Sequence, residues 1–358
     1  MRTVDIIVNN YNYERFLAHA IDSALAQTHP HVRVVVVDDG STDGSHALIA
    51  SYGDRITPVL KDNGGQASAF NAGFAVARAD VILFLDADDA LEPDVAARVI
   101  ETLTAQPDVA KVQWRTAVID DDGVLTGKVL PAPHLPMPSG DLARAELRFG
   151  FDIPWMATSA NAFPASVLRR ILPMPEAGFR IGADWYLQHL TPLLGPVVSL
   201  GAVGGRRRLH ASNAYEQSGS VLDLDYVRAT IQGAARTRTQ IERLADELGI
   251  ERPPGPLLSV SDQANRLISL RAEPATHPNP SDTRRGLVAG GVRAARRRTD
   301  VAPAMRGAFA AWFVAMGIAP RRATARLAAW FAFPERRPQA NRLLGALHRT
   351  HGEARGGA

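Results

Sequence analysis

Cysteine is absent from the 358-residue sequence, and lysine occurs only three times. Without cysteine the chain has no disulfides, no thiolate metal ligands and no cysteine nucleophile, which fits a reducing compartment. The first residues lack the long apolar segment and the small-residue cleavage site of a signal peptide. We therefore expect a cytoplasmic protein, and an ordinary globular core, since 46% of the residues are apolar and 22% are charged.

The formal net charge of +3 conceals a strong asymmetry along the chain. From Arg284 to the end there are 15 arginines against Asp300, Glu335 and Glu353, which gives +12 there and leaves −9 for residues 1–283. The acidic part suits a site built from carboxylates. The basic part suits an anionic partner, either a membrane surface or, less favoured because no nucleic-acid-binding module is visible, a nucleic acid.

Strand and helix patterns alternate through residues 3–89. Uninterrupted apolar runs such as 32–37 are typical of strands that are buried on both faces of a parallel sheet. Apolar residues at helical spacing lie between these runs. The pattern predicts an α/β fold with a Rossmann-like, mostly parallel central sheet flanked by helices. The predicted strands are residues 3–9, 32–37, 56–60 and 81–85.

Polar clusters follow three of these strands, namely Asn9-Asn10-Tyr11, Asp38-Asp39 and Asp86-Ala87-Asp88-Asp89. Ligands of parallel sheets bind beyond the carboxyl ends of the strands, so the clusters predict a single site. Three adjacent carboxylates repel one another, and a Mg²⁺ or Mn²⁺ ion with oxygen ligands would offset their charge. The alternative is a solvated turn whose carboxylates support the next helix.

Four segments together resemble the family 2 glycosyltransferases of the GT-A fold, in the order and spacing of that family. The resemblance covers residues 1–215 and implies an inverting transferase domain with a nucleotide-binding half (1–106) and an acceptor half (107–215). In one departure, Asn9-Asn10 stands where many relatives carry Pro or Thr. The segments are Val8-Asn9-Asn10-Tyr11-Asn12, Val37-Asp38-Asp39-Gly40-Ser41-Thr42-Asp43, Asn63-Gly64-Gly65 with Asn71-Ala72-Gly73, and Phe84-Leu85-Asp86-Ala87-Asp88-Asp89.

The resemblance also implies roles for individual residues. Tyr11 and Asp39 would contact the base of the nucleotide, and Lys61 or Gln66 would lie near the base or the phosphates. Asp86 would meet the ribose, and Asp88 would bind the metal ion. Asp86 and His210 are further candidate metal ligands, although His210 could equally be a surface residue of a basic loop. The other expected nucleotide-sugar contacts are Val8, Asn9, Asn10 and Ala87.

Asp184 opens a predicted helix at the place where the resembling enzymes carry their general base. An inverting transfer needs a carboxylate that takes the proton of the acceptor hydroxyl. A carboxylate at a helix start is also an ordinary capping residue, which is the alternative. The same resemblance places the acceptor near Trp155, Asn161 and Trp185, although burial is the commoner outcome for a tryptophan.

The second half of the chain has weaker patterns than the first. Arg206 to Arg208 could offset the charge of a diphosphate or form a solvated basic turn, and both readings stay open. Residues 216–283 are predicted to form a helical segment and a linker. The predicted elements are a hairpin of strands 111–118 and 124–130, a short helix within 162–172, a helix at 184–194, a strand at 197–203 and an amphipathic helix at 222–249.

Residues 284–358 combine arginines with aromatic residues. Their clean apolar stretch, 307–319, is too short for a confident transmembrane span. We predict a C-terminal extension with two amphipathic helices that lie on an anionic surface, the inner face of the cell membrane, with a packed helical bundle as the alternative. The stripe that suggests these helices consists of Met305, Phe309, Trp312, Phe313 and Met316.

The sequence therefore favours a glycosyltransferase that uses a nucleoside diphosphate sugar, with UDP favoured, and a glycan, lipid-linked or cell-envelope acceptor. A sugar nucleotidyltransferase is one alternative, but residues 9–14 lack the Gly-rich loop with a catalytic Lys or Arg that such enzymes usually carry. A membrane-associated scaffold with a degenerate transferase domain is the other. The intact residues that argue against it are Asp39, Asp86, Asp88 and Asp184.

Overall fold

Four parallel strands form the first half of the central sheet. Strand β1 (Val4–Asn10) lies between β2 (Val32–Asp38) and β4 (Val81–Asp86), and β3 (Thr57–Leu60) extends the sheet beyond β2. The apolar residues of β1, β2 and β4 are mostly buried on both faces of the sheet because helices cover each face. The predicted parallel α/β arrangement is confirmed in this half of the sheet.

The second half of the sheet is mixed. Strand β6 (Lys111–Ile119) is parallel to β9 (Val197–Arg208) but antiparallel to β7 (Leu125–Leu130) and to β8 (Asn161–Pro164), and β8 in turn pairs with β4. Strand β5 (Ala90–Leu91) pairs with β9 at the edge. The predicted hairpin of β6 and β7 is confirmed. Strand β8 is not predicted by the sequence because its four residues are too few for a recognisable pattern.

Strand β9 is longer than its apolar pattern predicts. The pattern ends at Val203, whereas the strand continues to Arg208 because β6 pairs with it as far as Ile119 and β5 pairs with it at Arg206. Of the two readings of Arg206 to Arg208, the solvated basic turn is therefore wrong. These arginines lie on a strand, so their side chains alternate between the two faces of the sheet.

The computed structural model describes residues 2–210 and 222–332. The predicted domain boundary at 215 and the last part of the basic region, 333–358, lie outside the described residues. Within the described residues the α-helices are α1 (Glu14–Leu25), α2 (Ser45–Ser51), α3 (Gln66–Val76), α4 (Val95–Ala105), α5 (Ala143–Phe149), α6 (Ala165–Leu168), α7 (Ala183–Leu190), α8 (Leu224–Glu247), α9 (Val260–Ala272), α10 (Arg284–Arg297), α11 (Pro303–Ile318) and α12 (Arg321–Ala332).

The chain divides into two compact units, of which the first comprises Met1–Asn213 and Gly233–Leu257. This unit contains the whole sheet, and its core has one layer on each face. Helices α1 and α4 cover one face, and α3 and α7 cover the other. Because side chains alternate along a strand, Asp86 points to the same face as Phe84, which is the face that α7 covers.

The second unit comprises Ala214–Gln232 and Leu258–Ala358, and its described part is helical. Trp312, Phe313 and Met316 are buried in its core, where a Cβ on Gly291 would lie only 2.2 Å from the ring of Phe313. Three of the five residues of the stripe that the sequence assigns to a membrane surface are therefore buried inside this unit, and the other two, Met305 and Phe309, are half-buried. Within the described part of the chain, no helix combines the length and the apolar character that a membrane crossing requires.

Candidate active site

Three carboxylates crowd together at the carboxyl end of β4. Burial raises the pKa of Asp86 well above its ordinary value, and the charges of Asp88 and Asp89 raise it further. Burial and the charge of Asp88 raise the pKa of Asp89 to about 7, although the Arg208 backbone N–H donates to its carboxylate at 2.9 Å. These groups therefore gain stability when a cation or a proton approaches them.

Asp184 joins these carboxylates from a distant part of the chain. It lies in the first turn of α7, where the Trp185 backbone N–H and the Gln188 Nε2 each donate to its carboxylate at 2.9 Å. Burial raises the pKa of Asp184, and its charge in turn raises the pKa of Asp86. The predicted general base therefore lies within electrostatic reach of the predicted ribose and metal ligand.

His210 also reaches the cluster. Its Nε2 lies 3.0 Å from the Asp88 Oδ2, and its ring packs against Tyr13 and Phe16 with centroid distances of 5.7 and 4.9 Å. The imidazole is therefore a buried neighbour of the carboxylates and not a surface group. Tyr13 lies close to the carboxylates as well. Burial and the charges of Asp88 and Asp86 therefore raise its pKa to about 12.

The donor set of this cluster fits an open metal site. Among residues 2–210 and 222–332, no three His, Asp or Glu side chains are arranged to hold an ion by themselves. Asp88 and His210 offer a carboxylate and an imidazole, whereas Asp89 is held by Arg208 and Ser159. Magnesium commonly binds through one or two protein ligands and completes its shell with water and substrate phosphates. The site therefore suits an ion that binds together with a diphosphate.

Asp39, which directly follows β2, holds the loop of Gly64 and Gly65 that leads into α3. Its carboxylate accepts from the Lys61 Nζ at 2.6 Å and from the backbone N–H groups of Gly64 and Gly65 at 3.0 and 2.7 Å. Gly65 adopts a φ of +89°, and a Cβ there would lie 2.6 Å from the Arg180 carbonyl oxygen. The loop therefore needs glycine, and Lys61 lies on the Asp39 carboxylate as its counterion.

Gln66 connects this loop to the helix of the predicted base. The Gln66 Oε1 accepts from the Ala183 backbone N–H at 2.9 Å, and the Gln66 backbone N–H donates to the Arg180 carbonyl. The Ala183 N–H is one of the groups that the first turn of α7 leaves without a partner inside the helix. The side chain of Gln66 therefore caps the helix of Asp184.

The end of β1 supplies the other predicted nucleotide contacts. Val8 and Asn10 are buried, and the Asn10 Nδ2 donates to the Asp38 Oδ2 at 2.7 Å. The Asn9 carbonyl accepts from the Ala87 N–H, which aligns β1 with the acidic turn. Tyr11, in contrast, is 46% exposed and presents its ring at the rim.

Of the predicted acceptor residues, Trp185 lies on α7, Asn161 begins β8, and Trp155 lies in the segment that leads to β8. Trp155 and Trp185 are half-buried, and the Trp185 ring stacks on Phe151 with centroids 5.8 Å apart. Asn161 is buried, and its Nδ2 donates to the carbonyls of Met156 and Ala157. Asn161 therefore holds the backbone of the segment that directly follows Trp155.

The three arginines of β9 have different partners. The Arg206 Nε pairs with Glu92 at 2.8 Å, and Arg208 donates to the carbonyls of Asp88, Asp120 and Asp121. Arg207 makes no side-chain hydrogen bond or ion pair within the described residues, but its charge lowers the pKa of Asp89 and of Asp184. Arg207 is thus the arginine of this strand that remains available to a ligand.

Comparisons with known proteins identify the family of the chain. The model of glycosyl transferase family 2 matches residues 5–152. An uncharacterized glycosyltransferase of Nostoc sp. is 35% identical over 244 residues, which are 67% of this chain and 72% of that protein. The chain belongs to glycosyltransferase family 2. The succinoglycan biosynthesis protein ExoO of Rhizobium meliloti is 33% identical to this glycosyltransferase over 246 residues, 64% of this chain and 66% of ExoO.

Solved structures support the fold of this glycosyltransferase. S. aureus TarS 1–349, in complex with UDP-GlcNAc, superposes with a TM-score of 0.55 and 15% identity, and the match covers 90% of each chain. The predicted GT-A-like fold with a helical C-terminal extension is therefore confirmed. A likeness at this identity concerns the fold alone.

The sequence does not reveal several residues that contact the candidate site residues of this glycosyltransferase. Tyr13 directly follows the recognised segment Val8-Asn9-Asn10-Tyr11-Asn12, so its position close to a predicted base contact was an available signal. Ser159 accepts from the Asp86 N–H at 3.1 Å, but it belongs to a short irregular segment without a pattern. Glu146 and His189 carry no local signal, because their contact joins two helices that are distant in sequence.

Proposed function

We propose that this glycosyltransferase moves a sugar from a nucleoside diphosphate sugar to a hydroxyl group of its acceptor, with inversion at the anomeric carbon. The observation that carries the proposal is the electrostatic coupling of Asp184 to Asp86 on one face of the sheet. A buried carboxylate there stands beside the acidic turn that resembles the family's metal and ribose site. Proton acceptance and diphosphate binding would thus occur side by side.

Asp184 would act as the general base. It would take the proton of the acceptor hydroxyl while that oxygen bonds to the anomeric carbon, and the nucleoside diphosphate would leave with the electrons of the broken bond. Burial raises the pKa of Asp184, which makes it a stronger base than an exposed aspartate. Gln188 and the Trp185 N–H would hold the carboxylate in orientation.

Asp88 and His210 would hold a divalent ion, Mg²⁺ or Mn²⁺, with Asp86 beside them. When bound, such an ion supplies positive charge that stabilises a departing diphosphate. Arg207 would add a second positive charge from β9, since its guanidinium has no ion pair within the described residues. Both contributions rest on the proximity of these groups to the acidic turn.

The donor is proposed to be a uridine diphosphate sugar, and the acceptor a growing polysaccharide of the cell envelope. S. aureus TarS structures contain UDP-GlcNAc or UDP, and ExoO is a succinoglycan biosynthesis protein. In this chain Tyr11 would lie against the base at the rim. Asp39 and Lys61 would close the other side of the base pocket.

The second unit is proposed to contact an anionic membrane surface. Apart from the half-buried Arg306, α11 carries no charged residue, and its exposed positions include Val314 (47% exposed) and Ile318 (80% exposed). Arginines are exposed on the neighbouring α10 and α12 of the same unit. Flotation with phosphatidylglycerol vesicles should fall when Val314 and Ile318 are changed to Asp, and unchanged flotation would reject this proposal.

Thermal-shift measurements with UDP, GDP and dTDP, each with and without Mn²⁺, test the proposed function most directly. We expect one nucleotide, UDP, to stabilise the protein, and to do so more strongly with Mn²⁺. Asp88→Asn should remove the Mn²⁺-dependent part of the shift, whereas Asp54→Asn, a change at an exposed site, should not. No stabilisation by any nucleotide would favour a non-catalytic scaffold.

A further inference from the structure

A group of buried titratable side chains contacts the predicted acceptor residues Trp155 and Trp185, and the proposed reaction does not use it. Lys111 on β6 and Glu146 on α5 are fully buried, and His189 on α7 is 4% exposed. All three belong to the first unit. Titratable side chains are costly to bury unless they have partners, so a group of three in one place needs a reason.

Lys111 has an unusual environment. Its Nζ lies 3.7 Å from the centroid of the Trp155 ring, and within the described residues it has no hydrogen-bond partner. A cation over an aromatic face is attracted to the negative side of the ring, and the attraction grows when water is excluded. Burial lowers the pKa of Lys111 to about 7, against the opposing effect of the Glu146 charge.

Glu146 connects two parts of the acceptor side. Its Oε2 accepts from the Trp155 Nε1 at 3.2 Å, and its Oε1 lies 2.7 Å from the His189 Nδ1. His189 follows Asp184 on the same short helix, and its ring packs edge-on against Trp185. A Cβ on Gly150 would lie 2.1 Å from the Glu146 Oε1, so the backbone leaves room for this carboxylate.

We propose that Glu146 is a positioning residue that fixes the acceptor-facing Trp155 to the helix that presents Asp184, with Lys111 as its buried counterion. We call Lys111, Glu146, Trp155 and His189 the acceptor clamp. The inference rests on the proposed function, because only a transferase has an acceptor to position. It assigns no chemical step to the clamp.

The clamp explains why charges occupy this place. An apolar core could hold Trp155 by packing alone, but it would leave the indole N–H without a partner. A carboxylate that accepts from the indole and from His189 at once couples the Trp155 loop to α7. An acceptor sugar that stacks on Trp155 would thereby be aligned with the base, so specificity for the acceptor would depend on residues that never touch it.

Lysine NMR tests whether the clamp exists. Because the chain has only three lysines, selective ¹³C labelling gives three Cε signals, and Lys111→Met identifies one of them. We expect this signal to titrate near pH 7, and to titrate at lower pH in Glu146→Gln because the carboxylate raises the Lys111 pKa. A Lys111 midpoint near the ordinary 10.5, or one unmoved by Glu146→Gln, would overturn the clamp.

Steady-state kinetics test what the clamp does, with UDP-sugars as donors and p-nitrophenyl glycosides as acceptor probes. Glu146→Gln should raise the acceptor KM about tenfold and leave the donor KM unchanged, since one charged hydrogen-bonded group is lost on the acceptor side only. Glu101→Gln, on the exposed face of α4, is the matched control. Equal changes in both KM values would indicate a merely structural role and reject the proposal.

A double-mutant cycle separates the clamp from general destabilisation. Lys111→Met should reproduce the acceptor KM effect, and Lys111→Met with Glu146→Gln should be no worse than Glu146→Gln alone, because both remove the same coupling. Lys128→Met, on the exposed part of β7, should change nothing. Additive effects of the two changes would count against the clamp.

Failure of the two proposals can be told apart. If the unaltered protein transfers no sugar to any glycoside and binds no nucleotide, the proposed function fails, while the lysine titration still decides whether Glu146 and Lys111 are coupled. If transfer occurs but Glu146→Gln behaves like the unaltered protein, only the clamp fails.

Discussion

The amino end of β1 and the carboxyl end of β4 surround their carboxylates in opposite ways. At the amino end of β1, Asp5 accepts two hydrogen bonds from Arg33, at 2.9 and 2.6 Å, and two more from the backbone N–H groups of Arg78 and Ala79. Burial raises the pKa of Asp5, but these donors outweigh it and the pKa falls below its usual value. Around the carboxyl end of β4, the pKa values of Asp86, Asp89 and Asp184 are raised.

The difference separates a structural carboxylate from those that we propose to be functional. Asp5 is saturated with donors and has no capacity left for a ligand. The carboxyl-end cluster has too few donors, so charge repulsion remains until something positive arrives. Asp5 lies on β1 and Asp86 on the neighbouring β4, and burial acts to raise the pKa of both, so burial alone does not identify a site. The number of hydrogen-bond donors around each carboxylate distinguishes the two cases.

Asp184→Asn should give the largest effect, at the carboxyl end. The amide keeps the size of the side chain but cannot accept the acceptor's proton, so turnover should fall about 10³-fold. The thermal shift with UDP and Mn²⁺ should remain, because Asp184 is not a proposed nucleotide ligand. Steady-state rates beside those of the exposed-site change Asp54→Asn provide the comparison, and retained turnover would refute Asp184 as the base.

Asp5→Asn should affect stability and leave the site intact. Removing one partner of a buried ion pair is costly, and we expect a loss of about 2–3 kcal/mol, below the value for a fully buried pair because Arg33 is partly exposed. Since the folded-state pKa of Asp5 is lowered, its contribution is present above the unfolded pKa and is lost as pH falls through the folded pKa.

Urea unfolding at pH 7 and at pH 3 measures the contribution of Asp5. The difference between Asp5→Asn and the unaltered protein should be large at pH 7 and smaller at pH 3. Nucleotide-dependent stabilisation should be equal in both proteins. A loss of nucleotide binding in Asp5→Asn would break the distinction between the two ends of the sheet.

Gln66→Ala should give a smaller effect, on turnover. The change removes the acceptor of the Ala183 N–H, so α7 loses its cap and Asp184 its alignment, at a cost of about 1 kcal/mol and about a tenfold loss of kcat. The donor KM should change less than kcat, although the sequence assigns Gln66 to the nucleotide. The exposed-site change Gln106→Ala is the control, and a defect in the donor KM alone would restore the assignment to the nucleotide.

The sequence predicts the strands of residues 1–106 well and those of residues 107–215 less well. Strands such as β1 and β4 are buried on both faces, so their apolar runs mark them, and the motifs follow directly at their ends. The predicted Asp86-Ala87-Asp88-Asp89 turn is therefore found where the sequence places it. In the acceptor half, β8 is too short for a pattern, and the end of β9 is defined by its partners β5 and β6.

Local patterns also cannot show which residues support a site. Gln66 lies in a motif that resembles a nucleotide contact, yet its side chain accepts from a helix more than 100 residues later. The aromatic stripe of α11 has the spacing of a membrane-binding helix and equally that of a buried helix, and Trp312 and Phe313 are buried. Periodicity identifies the apolar face of a helix, but the tertiary contacts decide what covers it.

Arg207→Gln should give the smallest effect. It tests whether the charge of Arg207 acts on Asp184 at the carboxyl end of the sheet. The charge of Arg207 lowers the pKa of Asp184, which burial raises. Removing that charge should raise the pKa further, so the pH below which the rate falls should move upward. Because Arg207 is half-exposed, we expect a shift of less than about one pH unit. The exposed-site change Arg170→Gln should leave the profile unchanged.

The pH dependence of kcat, measured at saturating donor with and without added salt, isolates this effect. A general base acts only when deprotonated, so a higher pKa costs activity on the acid side and nothing on the alkaline side. Salt screens exposed charges, so it should narrow the difference between Arg207→Gln and the unaltered protein. If Arg207→Gln lowers the rate equally at every pH, the arginine acts on the bound diphosphate and not through Asp184.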